Sequence, residues 1–439
     1  MGARETALNV LITCRRNSAW PNATLKDFIR RDKLDARDAG LSVRLCYGVL
    51  QNRGRLDWYL KQLSGRRVKD FQPVLRDILH MGLYQICMMD KIPQSAAVNE
   101  SVNLTKKYCR NQRNAAGLVN AILRNAIRSE IWQKEPQTLA EKYSHPQKLI
   151  DFLEANIGKE KLEPMLIANN SAPNMVVQVN TCKISAEKLI EILNKKNISA
   201  QLHAWMPNCL VLSSVGDLEQ LDAFQQGFFY VQDCAAKLSV MCAQLPSNEK
   251  LQVLDCCAAP GGKSFAVATQ VSSDSTIHSC DIYKHKTALI SSGAKRLGFE
   301  NIYTLEHDAT VDCPEWHDIM DCVIVDVPCS GYGIIRKKPD IRFKDPDTMK
   351  QLPQLQLSIL RQQAKYVKPG GTLIYSTCTL VQAENEDVVE AFLKENTQFI
   401  LEPLQLPDIF PEDASGMLTL IPGQYETDGF FISRLRRKS

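Results

Sequence analysis

The stretch from Val253 to Ser264, VLDCCAAPGGKS, decides the fold class of this chain. It starts as a short apolar strand, runs into a loop with two consecutive glycines, Gly261 and Gly262, and ends where a helical pattern begins. Glycines let the backbone approach a ligand closely, and the start of a helix offers free N–H donors. This order indicates the ligand-binding edge of an α/β sheet.

Apolar runs continue the alternation of strand and helix toward the C-terminus. The candidate strands are 251–255, 276–280, 301–305, 321–326 and 371–376, and the tail DGFFISRLRR adds one more. Helical patterns separate these strands. The sequence therefore predicts a C-terminal α/β, Rossmann-like domain over residues 226–439.

The preceding residues have a different pattern. Residues 1–130 show helical spacing throughout and predict an all-α bundle. Residues 131–225 predict linker helices followed by a small α+β subdomain. Its candidate elements are a strand at 175–180, a helix at 185–196 and a strand at 209–213. We therefore expect a multidomain protein with three parts.

Two aspartates follow the glycine loop at the ends of the next predicted strands. Asp281, nineteen residues after Gly262, ends the second strand, and Asp308 ends the third. A carboxylate at the position of Asp281 can accept hydrogen bonds from ribose hydroxyls, and Asp308 can meet an adenine amino group. The loop has neither the GxGxxG spacing of dinucleotide sites nor a Walker pattern. A small adenosine ligand without a pyrophosphate fits this loop better.

Two cysteines follow the next two strands. The fourth strand ends in Asp326 and is followed by Cys329, and the fifth strand ends at Cys378. Because the carboxyl ends of parallel strands open onto one crevice, we expect these three side chains to lie together beside the ligand.

This set of groups suits methyl transfer to carbon 5 of cytosine. That carbon is a poor nucleophile until a thiolate adds to carbon 6 and turns the ring into an enamine. A carboxyl group near ring nitrogen 3, which suits Asp326, stabilises the adduct, and a base must then remove the carbon 5 proton. Both thiols have a role if one cysteine is the nucleophile and the other assists product release. Neither the chemistry nor the spacing shows which cysteine has which role. The nucleophile needs a lowered pKa, which Lys263 or loop N–H groups can provide.

The cysteine count and the charge distribution narrow the class of protein. The fifteen cysteines include no CxxC pair, which argues against a disulfide framework and a thiolate zinc site, and we expect no metal. Residues 1–130 carry 23 Lys and Arg against 11 Asp and Glu, whereas the remainder carries 30 against 38. A basic module joined to a mildly acidic one predicts that the first domain meets a polyanion.

Nothing in the sequence indicates a membrane. No uninterrupted apolar stretch reaches membrane-spanning length, and the start, MGARETALNVL, lacks the apolar core of a secretory signal. We expect a cytoplasmic protein, and nothing demands more than a monomer.

Taken together, the motifs resemble those of RNA 5-methylcytosine methyltransferases. The matching segments are CAAPGGKS, DVPCSGYG followed by RKKPDIRF, LIYSTCTL followed by Glu384-Asn385-Glu386, and TDGFFISRL, in this order across residues 230 to 435. The N-terminal bundle resembles the NusB-like RNA-binding domain in VNAILR, from Val119 to Arg124. This pairing resembles the RsmB (Sun or Fmu) type, and the resemblance implies that the substrate is 16S ribosomal RNA.

The resemblance implies a role for each motif residue. Cys378 would be the nucleophile, Cys329 would assist product release, and Asp326 would lie between cofactor and target base. Asp281 would hold the ribose of S-adenosyl-L-methionine and Asp308 would approach its adenine. The cofactor loop would comprise Cys257, Ala258, Ala259, Pro260, Gly261, Gly262 and Lys263. The chain departs from the family pattern at Val327, usually alanine, and at Phe343, commonly tryptophan.

Three alternative functions share parts of this pattern. The first is the same chemistry on transfer RNA or another RNA. The second is an RNA-binding protein of the antitermination type with a vestigial α/β domain, which the intact cysteine pair and glycine loop disfavour and which binding of S-adenosylmethionine would exclude. The third is an NAD-dependent oxidoreductase, which the glycine spacing and the paired thiols disfavour.

Overall fold

The chain forms two compact units. The computed structural model describes residues 1–17, 21–213, 215–247, 249–411 and 415–439. The first unit contains Met1–Ala155 and Lys337–Asp345, and the second contains Asn156–Arg336 and Pro346–Ser439. Within the described ranges, no helix has both the length and the apolar character needed to cross a bilayer.

The first unit is an α-helical bundle, as predicted. Its helices are α1 (Ala3–Asn17), α2 (Pro21–Asp32), α3 (Ala36–Gln51), α4 (Arg53–Ser64), α5 (Pro73–Met88), α6 (Gln94–Tyr108), α7 (Ala115–Arg128), α8 (Leu139–Lys142) and the start of α9 (Gln147–Ile157). Local signals set several helix ends. Asp35 caps α3 by accepting the N–H of Asp38, Pro73 occupies the first turn of α5, and Gly65 ends α4 in the left-handed conformation.

Helix α5 is the centre of this bundle. It is buried along most of its length and packs against α3, α4, α6 and α7. Ile78, Leu79 and Leu83 are fully buried, and each contributes roughly 2 kcal/mol of hydrophobic stabilisation. The helices approach closely at Gly82, where an added Cβ would lie 2.7 Å from a methyl carbon of Leu123. Because α3, α4, α6 and α7 pack against α5, each of them has an apolar face, and these faces produce the helical spacing of apolar residues in the sequence.

The second unit begins with an α+β subdomain, also as predicted. Its elements are α10 (Lys159–Asn170), β1 (Met175–Val179), α11 (Ala186–Lys195), β2 (Ser199–Leu202), β3 (Cys209–Ser213), α12 (Asp222–Gln225) and β4 (Phe229–Val231). The strands form an antiparallel sheet in the order β2-β3-β1-β4. Leu189 and Leu193 of α11 belong to the same apolar core as Val177 and Leu210 of the sheet.

The rest of the second unit is a mixed sheet with helices. Its elements are α13 (Cys234–Met241), β5 (Gln252–Asp255), α14 (Gly262–Ala268), β6 (Thr276–Asp281), α15 (Lys284–Leu297), β7 (Ile302–Glu306), β8 (Met320–Asp326), α16 (Leu352–Ala364), β9 (Val367–Thr377), α17 (Glu386–Glu395), β10 (Phe399–Leu401), β11 (Met417–Leu420) and β12 (Phe430–Arg437).

The order of these strands creates a crevice at one edge of the sheet. The order is β10-β12-β9-β8-β5-β6-β7, with β11 on β12. Strands β5 to β9 pair in parallel, whereas β12 runs antiparallel to β9. The chain runs from β5 through β6 to β7 on one side and returns to β8 on the other. This reversal beside β5 is the position at which α/β sheets bind ligands, at the carboxyl ends of the strands.

Candidate active site

The two motif cysteines lie side by side. Cys329 follows β8, Cys378 follows β9, and their Sγ atoms are 3.1 Å apart. The parallel register that pairs Asp326 with Ser376 brings both strand ends to the same level. Both cysteines are partly exposed. The sequence predicted this juxtaposition from the neighbouring strand ends alone.

The environment of Cys329 favours its protonated form. The hydrogen bond with Cys378 and burial raise the pKa of Cys329 well above that of an ordinary thiol, and the negative charges of Glu384 and Asp326 raise it further. Cys329 therefore keeps its proton at neutral pH. The two thiols are within hydrogen-bond distance of each other.

Asp326 is held in one orientation by two partners. Lys263 Nζ lies 2.6 Å from Oδ2, and the hydroxyl of Ser376 donates to Oδ1 at 3.0 Å. The Lys263 ammonium is largely buried and lies 5.1 Å from the centre of the Phe430 ring. The sequence suggested Lys263 as a cation that activates a thiol, but its nearest charged partner is the Asp326 carboxylate. Lys263 thus orients the carboxylate.

The glycine loop makes a tight backbone turn between β5 and α14. Gly261 has a φ of +110°, and an added Cβ would lie 2.5 Å from the Phe265 ring. The preceding Ala259-Pro260 peptide bond is cis. The N–H of Ala258 donates to the carbonyl of Cys280 at 2.7 Å and ties the loop to β6. This conformation needs glycine at position 261 and leaves the loop backbone close to the crevice.

Of the two aspartates predicted to bind the cofactor, Asp281 ends β6 and Asp308 follows β7. Asp281 is largely buried, accepts the N–H of Tyr283 at 3.1 Å, and lies 3.6 Å from the Lys286 ammonium. Asp308 is partly exposed and accepts the N–H and hydroxyl of Thr310. These bonds hold the pKa of Asp308 below its usual value, so its carboxylate is charged at neutral pH.

Sequence reasoning missed two residues at this edge. Asp255, fully buried at the end of β5, accepts a hydrogen bond from Ser264 Oγ at 2.7 Å, and burial raises the pKa of Asp255 to about 7. Ile282 is 50% exposed directly after Asp281 and offers apolar surface beside it. The sequence does contain a signal for each residue. Asp255 is a polar residue at the end of an apolar strand, and Ile282 is an apolar residue directly after an acid.

Three family profiles match successive parts of the chain. The profile described as "16S rRNA methyltransferase RsmB/F" matches residues 241–436. The "NusB family" profile matches residues 1–128, and a "Methyltr_RsmF/B-like, ferredoxin-like domain" profile matches residues 145–219. The all-α, α+β and α/β parts predicted from the sequence are thereby confirmed, and the middle part is ferredoxin-like.

Curated relatives match over the full length. The chain is 35% identical to a protein of Bacillus subtilis (strain 168), named "Probable ribosomal RNA small subunit methyltransferase B", over 99% of this chain and 98% of that protein. It is 31% identical to "Ribosomal RNA small subunit methyltransferase B" of Vibrio vulnificus (strain YJ016), over all of both chains.

Solved structures share the fold. The crystal structure of PH0851 superposes with a TM-score of 0.78 at 23% identity, over 98% of both chains. The structure of NSun6 from Pyrococcus horikoshii with SFG superposes with a TM-score of 0.58 at 20% identity, over 67% of this chain and 98% of that one.

Proposed function

The chain belongs to the RsmB/F family of 16S rRNA methyltransferases, and we propose that it methylates carbon 5 of a cytosine in 16S ribosomal RNA, with Cys378 adding covalently to carbon 6 of the base. The observation that carries this proposal is the 3.1 Å contact between Cys329 and Cys378 beside the fixed carboxylate of Asp326. Two thiols and one carboxylate are the groups that this chemistry requires.

The residues around the crevice fit S-adenosyl-L-methionine as methyl donor. The positive φ of Gly261 forms the tight turn that follows β5 at the carboxyl ends of the strands, where we propose that the cofactor binds. We assign Asp281 to the ribose hydroxyls, and Asp308 and Ile282 to the adenine as a hydrogen-bond acceptor and an apolar surface. The cofactor, when bound, supplies an electrophilic methyl group. No metal ion is needed in this scheme.

Cys378 is the better candidate for the nucleophile on electrostatic grounds. The raised pKa of Cys329 keeps the proton on that thiol, and we therefore assign the nucleophilic thiolate to Cys378. In the proposed reaction the Cys378 thiolate adds to carbon 6, and the electron pair of the ring moves toward carbon 5, which takes the methyl group. In the last stage Cys329 passes its proton to the Cys378 sulfur, which leaves carbon 6 with the electron pair of the broken bond. The Cys329 thiolate formed in this way takes the proton from carbon 5, and the double bond between carbons 5 and 6 is restored.

Asp326 is the proposed contact for the edge of the cytosine. Lys263 and Ser376 each occupy one of its oxygens. A carboxylate has about four acceptor positions in all, so Asp326 can still accept a hydrogen from the exocyclic amine of the base. Its fixed orientation would align the ring between Cys378 and the methyl group.

We propose that the N-terminal bundle binds the RNA. We propose three domains, residues 1–130, 131–225 and 226–439, with the basic first domain on RNA phosphates and the third holding a cytosine removed from its stack. Arg66, Arg110 and Arg113 are exposed at turns of the bundle. We further propose that the protein acts in the cytoplasm as a monomer.

The proposal is tested by identifying the methylated nucleoside and its RNA. Unmodified 16S rRNA and unmodified transfer RNA are incubated separately with protein and methyl-labelled cofactor, digested to nucleosides and analysed by mass spectrometry. We expect labelled 5-methylcytidine from 16S rRNA. Label only in transfer RNA would support the alternative substrate, and labelled nucleosides other than 5-methylcytidine would refute the proposed chemistry.

A further inference from the structure

The residues Glu384 and Asn385, which follow the second cysteine strand, have no role in the mechanism so far. Glu384 closes a short 3-10 turn (Gln382–Glu384), and Asn385 directly precedes α17. Their exposed fractions are 2% and 0%. A buried carboxylate is costly unless its oxygens are satisfied, so its partners reveal what it stabilises.

Glu384 fixes the loop that contains Cys329 through contacts on both sides of this cysteine. Its Oε2 accepts the N–H of Ser330 at 2.9 Å and a hydrogen of Gln356 Nε2 at 2.9 Å. The same amide of Gln356 donates to the carbonyl of Pro328 at 3.0 Å. The residues before and after Cys329 are thus fixed to one carboxylate.

Asn385 holds the segment around Cys378 in the same manner. Its Oδ1 accepts the hydroxyl of Thr377 at 2.6 Å, and its Nδ2 donates to the carbonyl of Thr379 at 3.1 Å. The side chain therefore bridges the residues on either side of Cys378. Glu384 and Asn385 are consecutive in one motif, and each fixes one cysteine segment: Glu384 that of Cys329, and Asn385 that of Cys378.

The two segments are also bonded to each other. The hydroxyls of Ser330 and Thr379 lie 2.7 Å apart, and the N–H of Gly333 donates to the carbonyl of Cys378 at 3.0 Å. The hydroxyl of Tyr375 donates to the main-chain carbonyl of Glu384 at 2.6 Å. The 3.1 Å separation of the sulfurs is therefore set by a network centred on Glu384 and Asn385.

We propose that Glu384 is a positioning residue that holds Cys329 against Cys378 and keeps the proton on Cys329 until the release stage. This inference rests on the proposed function, because it assigns the roles of nucleophile to Cys378 and of release group to Cys329.

The charges around Cys329 support this role. The groups that act on it are Cys378 from the end of β9, Asp326 from the end of β8, and Glu384. The hydrogen bond with Cys378 and burial raise the pKa of Cys329 most, and the charges of Glu384 and Asp326 add to this effect. Burial also raises the pKa of Tyr375, so its phenol stays neutral. Asp326 is paired with the Lys263 ammonium, whereas Glu384 accepts its hydrogen bonds from a main-chain N–H and a side-chain amide, which are both neutral.

The test compares Glu384→Gln with a control from the same motif. Glu386→Gln removes an equal charge from a residue whose carboxylate accepts a hydroxyl of Thr419. Each folded protein is alkylated with iodoacetamide over a range of pH, and the modification of Cys329 is followed by mass spectrometry of its peptide. We expect the pH midpoint for Cys329 to fall by about 1 unit or more in Glu384→Gln, and to stay at the wild-type value in Glu386→Gln. An unchanged midpoint in Glu384→Gln, or an equal shift in the control, would overturn the proposal.

Glu384→Asp separates charge from geometry. It keeps the carboxylate but withdraws it by one methylene, so we expect the midpoint for Cys329 to stay near that of the wild type. A misplaced loop should lower kcat for RNA methylation roughly 100-fold with little change in KM for the cofactor. If Glu384→Gln does not fold, the test rests on Glu384→Asp alone. A kcat equal to that of the wild type in Glu384→Asp would then overturn the proposal.

Failure of this inference is distinguishable from failure of the proposed function. Alkylation needs neither RNA nor cofactor, so the midpoint of Cys329 reports on Glu384 even if the RNA substrate is not 16S rRNA. A wild-type protein that methylates its RNA by another chemistry would leave the alkylation result intact.

Discussion

The Lys263 ammonium lies 2.6 Å from Oδ2 of Asp326, and the hydroxyl of Ser376 holds the other oxygen of the same carboxylate. Three parts of the fold meet at this carboxylate, since Lys263 belongs to α14, Asp326 ends β8 and Ser376 belongs to β9. The cofactor loop and the two cysteine strands are therefore linked through one side chain. Any change that frees this carboxylate should disturb the alignment of the base with the methyl group.

Lys263→Met tests this link. Methionine keeps most of the length of the side chain but removes the charge, so among the residues that the structure describes Asp326 retains the hydroxyl of Ser376 as its hydrogen-bond partner. We expect the rate of RNA methylation to fall about 100-fold, as for other losses of alignment in active sites. The rate is measured as label transferred to RNA under single turnover. Lys286→Met, which removes the cation 3.6 Å from Asp281, is the control and should chiefly weaken cofactor binding. Equal single-turnover rates for Lys263→Met and the wild type at saturating cofactor would contradict the link.

Because Asp255 is buried, we predict that the stability of the protein depends on pH in a specific way. Its pKa is raised from an ordinary 3.8 to about 7 because it is fully buried. An acid whose pKa is higher in the folded state stabilises the fold fully below about pH 4 and loses that contribution as the pH rises through about 7. Asp255→Asn cannot titrate but can still accept the Ser264 hydroxyl.

The stability of Asp255→Asn relative to the wild type should therefore increase between pH 4 and pH 7, by up to about 4 kcal/mol in the free energy of unfolding. Urea denaturation of both proteins at several pH values measures this difference. A difference that does not change with pH would show that Asp255 does not titrate in this range.

Gly261→Ala should damage the cofactor site. The φ of +110° disfavours any side chain, and the added Cβ would lie 2.5 Å from the Phe265 ring. We expect a loss of about 1–3 kcal/mol in stability and at least about a tenfold weaker binding of S-adenosylmethionine, measured by calorimetry. Gly40→Ala, where an added Cβ meets nothing within 4 Å, should leave cofactor affinity unchanged. Wild-type affinity in Gly261→Ala would mean that the ligand does not approach this loop.

Exposed arginines of the bundle should contribute to RNA affinity through phosphates. Arg66 and Arg113 line a surface cleft of about 680 Å³ together with Gln72 and Asn114. Removing both charges with Arg66→Ala and Arg113→Ala should weaken RNA binding. The slope of log affinity against log salt should fall by about 1 for each phosphate that is no longer neutralised.

The matched control for this pair removes two exposed lysines of α11, with Lys188→Ala and Lys195→Ala. We expect the control to keep the wild-type salt slope, because α11 lies outside the basic first domain. A salt slope that changes equally in both pairs would refute a specific role for the cleft.

Much of the fold was predictable because the deciding patterns are local. The parallel strands β5, β8 and β9 each contain a short buried apolar run, and their order along the chain implies a common edge at which Cys329 and Cys378 meet. The short strands β2 and β4 escaped prediction, since most residues of β2 are exposed and β4 has three residues. β2 is defined by its pairing with the next strand, β3, and β4 by its pairing with the more distant β1, and local propensity carries little of that information.

Arg342 shows most clearly what the sequence could not reveal. In RKKPDIRF it reads as one of several surface cations, yet it is 0% exposed. Its guanidinium donates to the carbonyls of Gln51 and Ser144 in the first unit, and burial lowers its pKa to about 9. Partners 291 and 198 residues away in the chain leave no trace in local spacing. The network around Glu384 escaped prediction for the same reason, since Ser330 is 54 residues away.

The central claim is that Cys378 attacks the base and Cys329 releases it. The most direct measurement incubates 16S rRNA and S-adenosylmethionine with wild-type protein, Cys378→Ala and Cys329→Ala, and looks for protein linked to RNA on a denaturing gel. We predict a stable RNA-linked band from Cys329→Ala, since attack and methylation proceed but release is blocked, and no such band from Cys378→Ala. A band from Cys378→Ala together with none from Cys329→Ala would contradict the account and reverse the two roles.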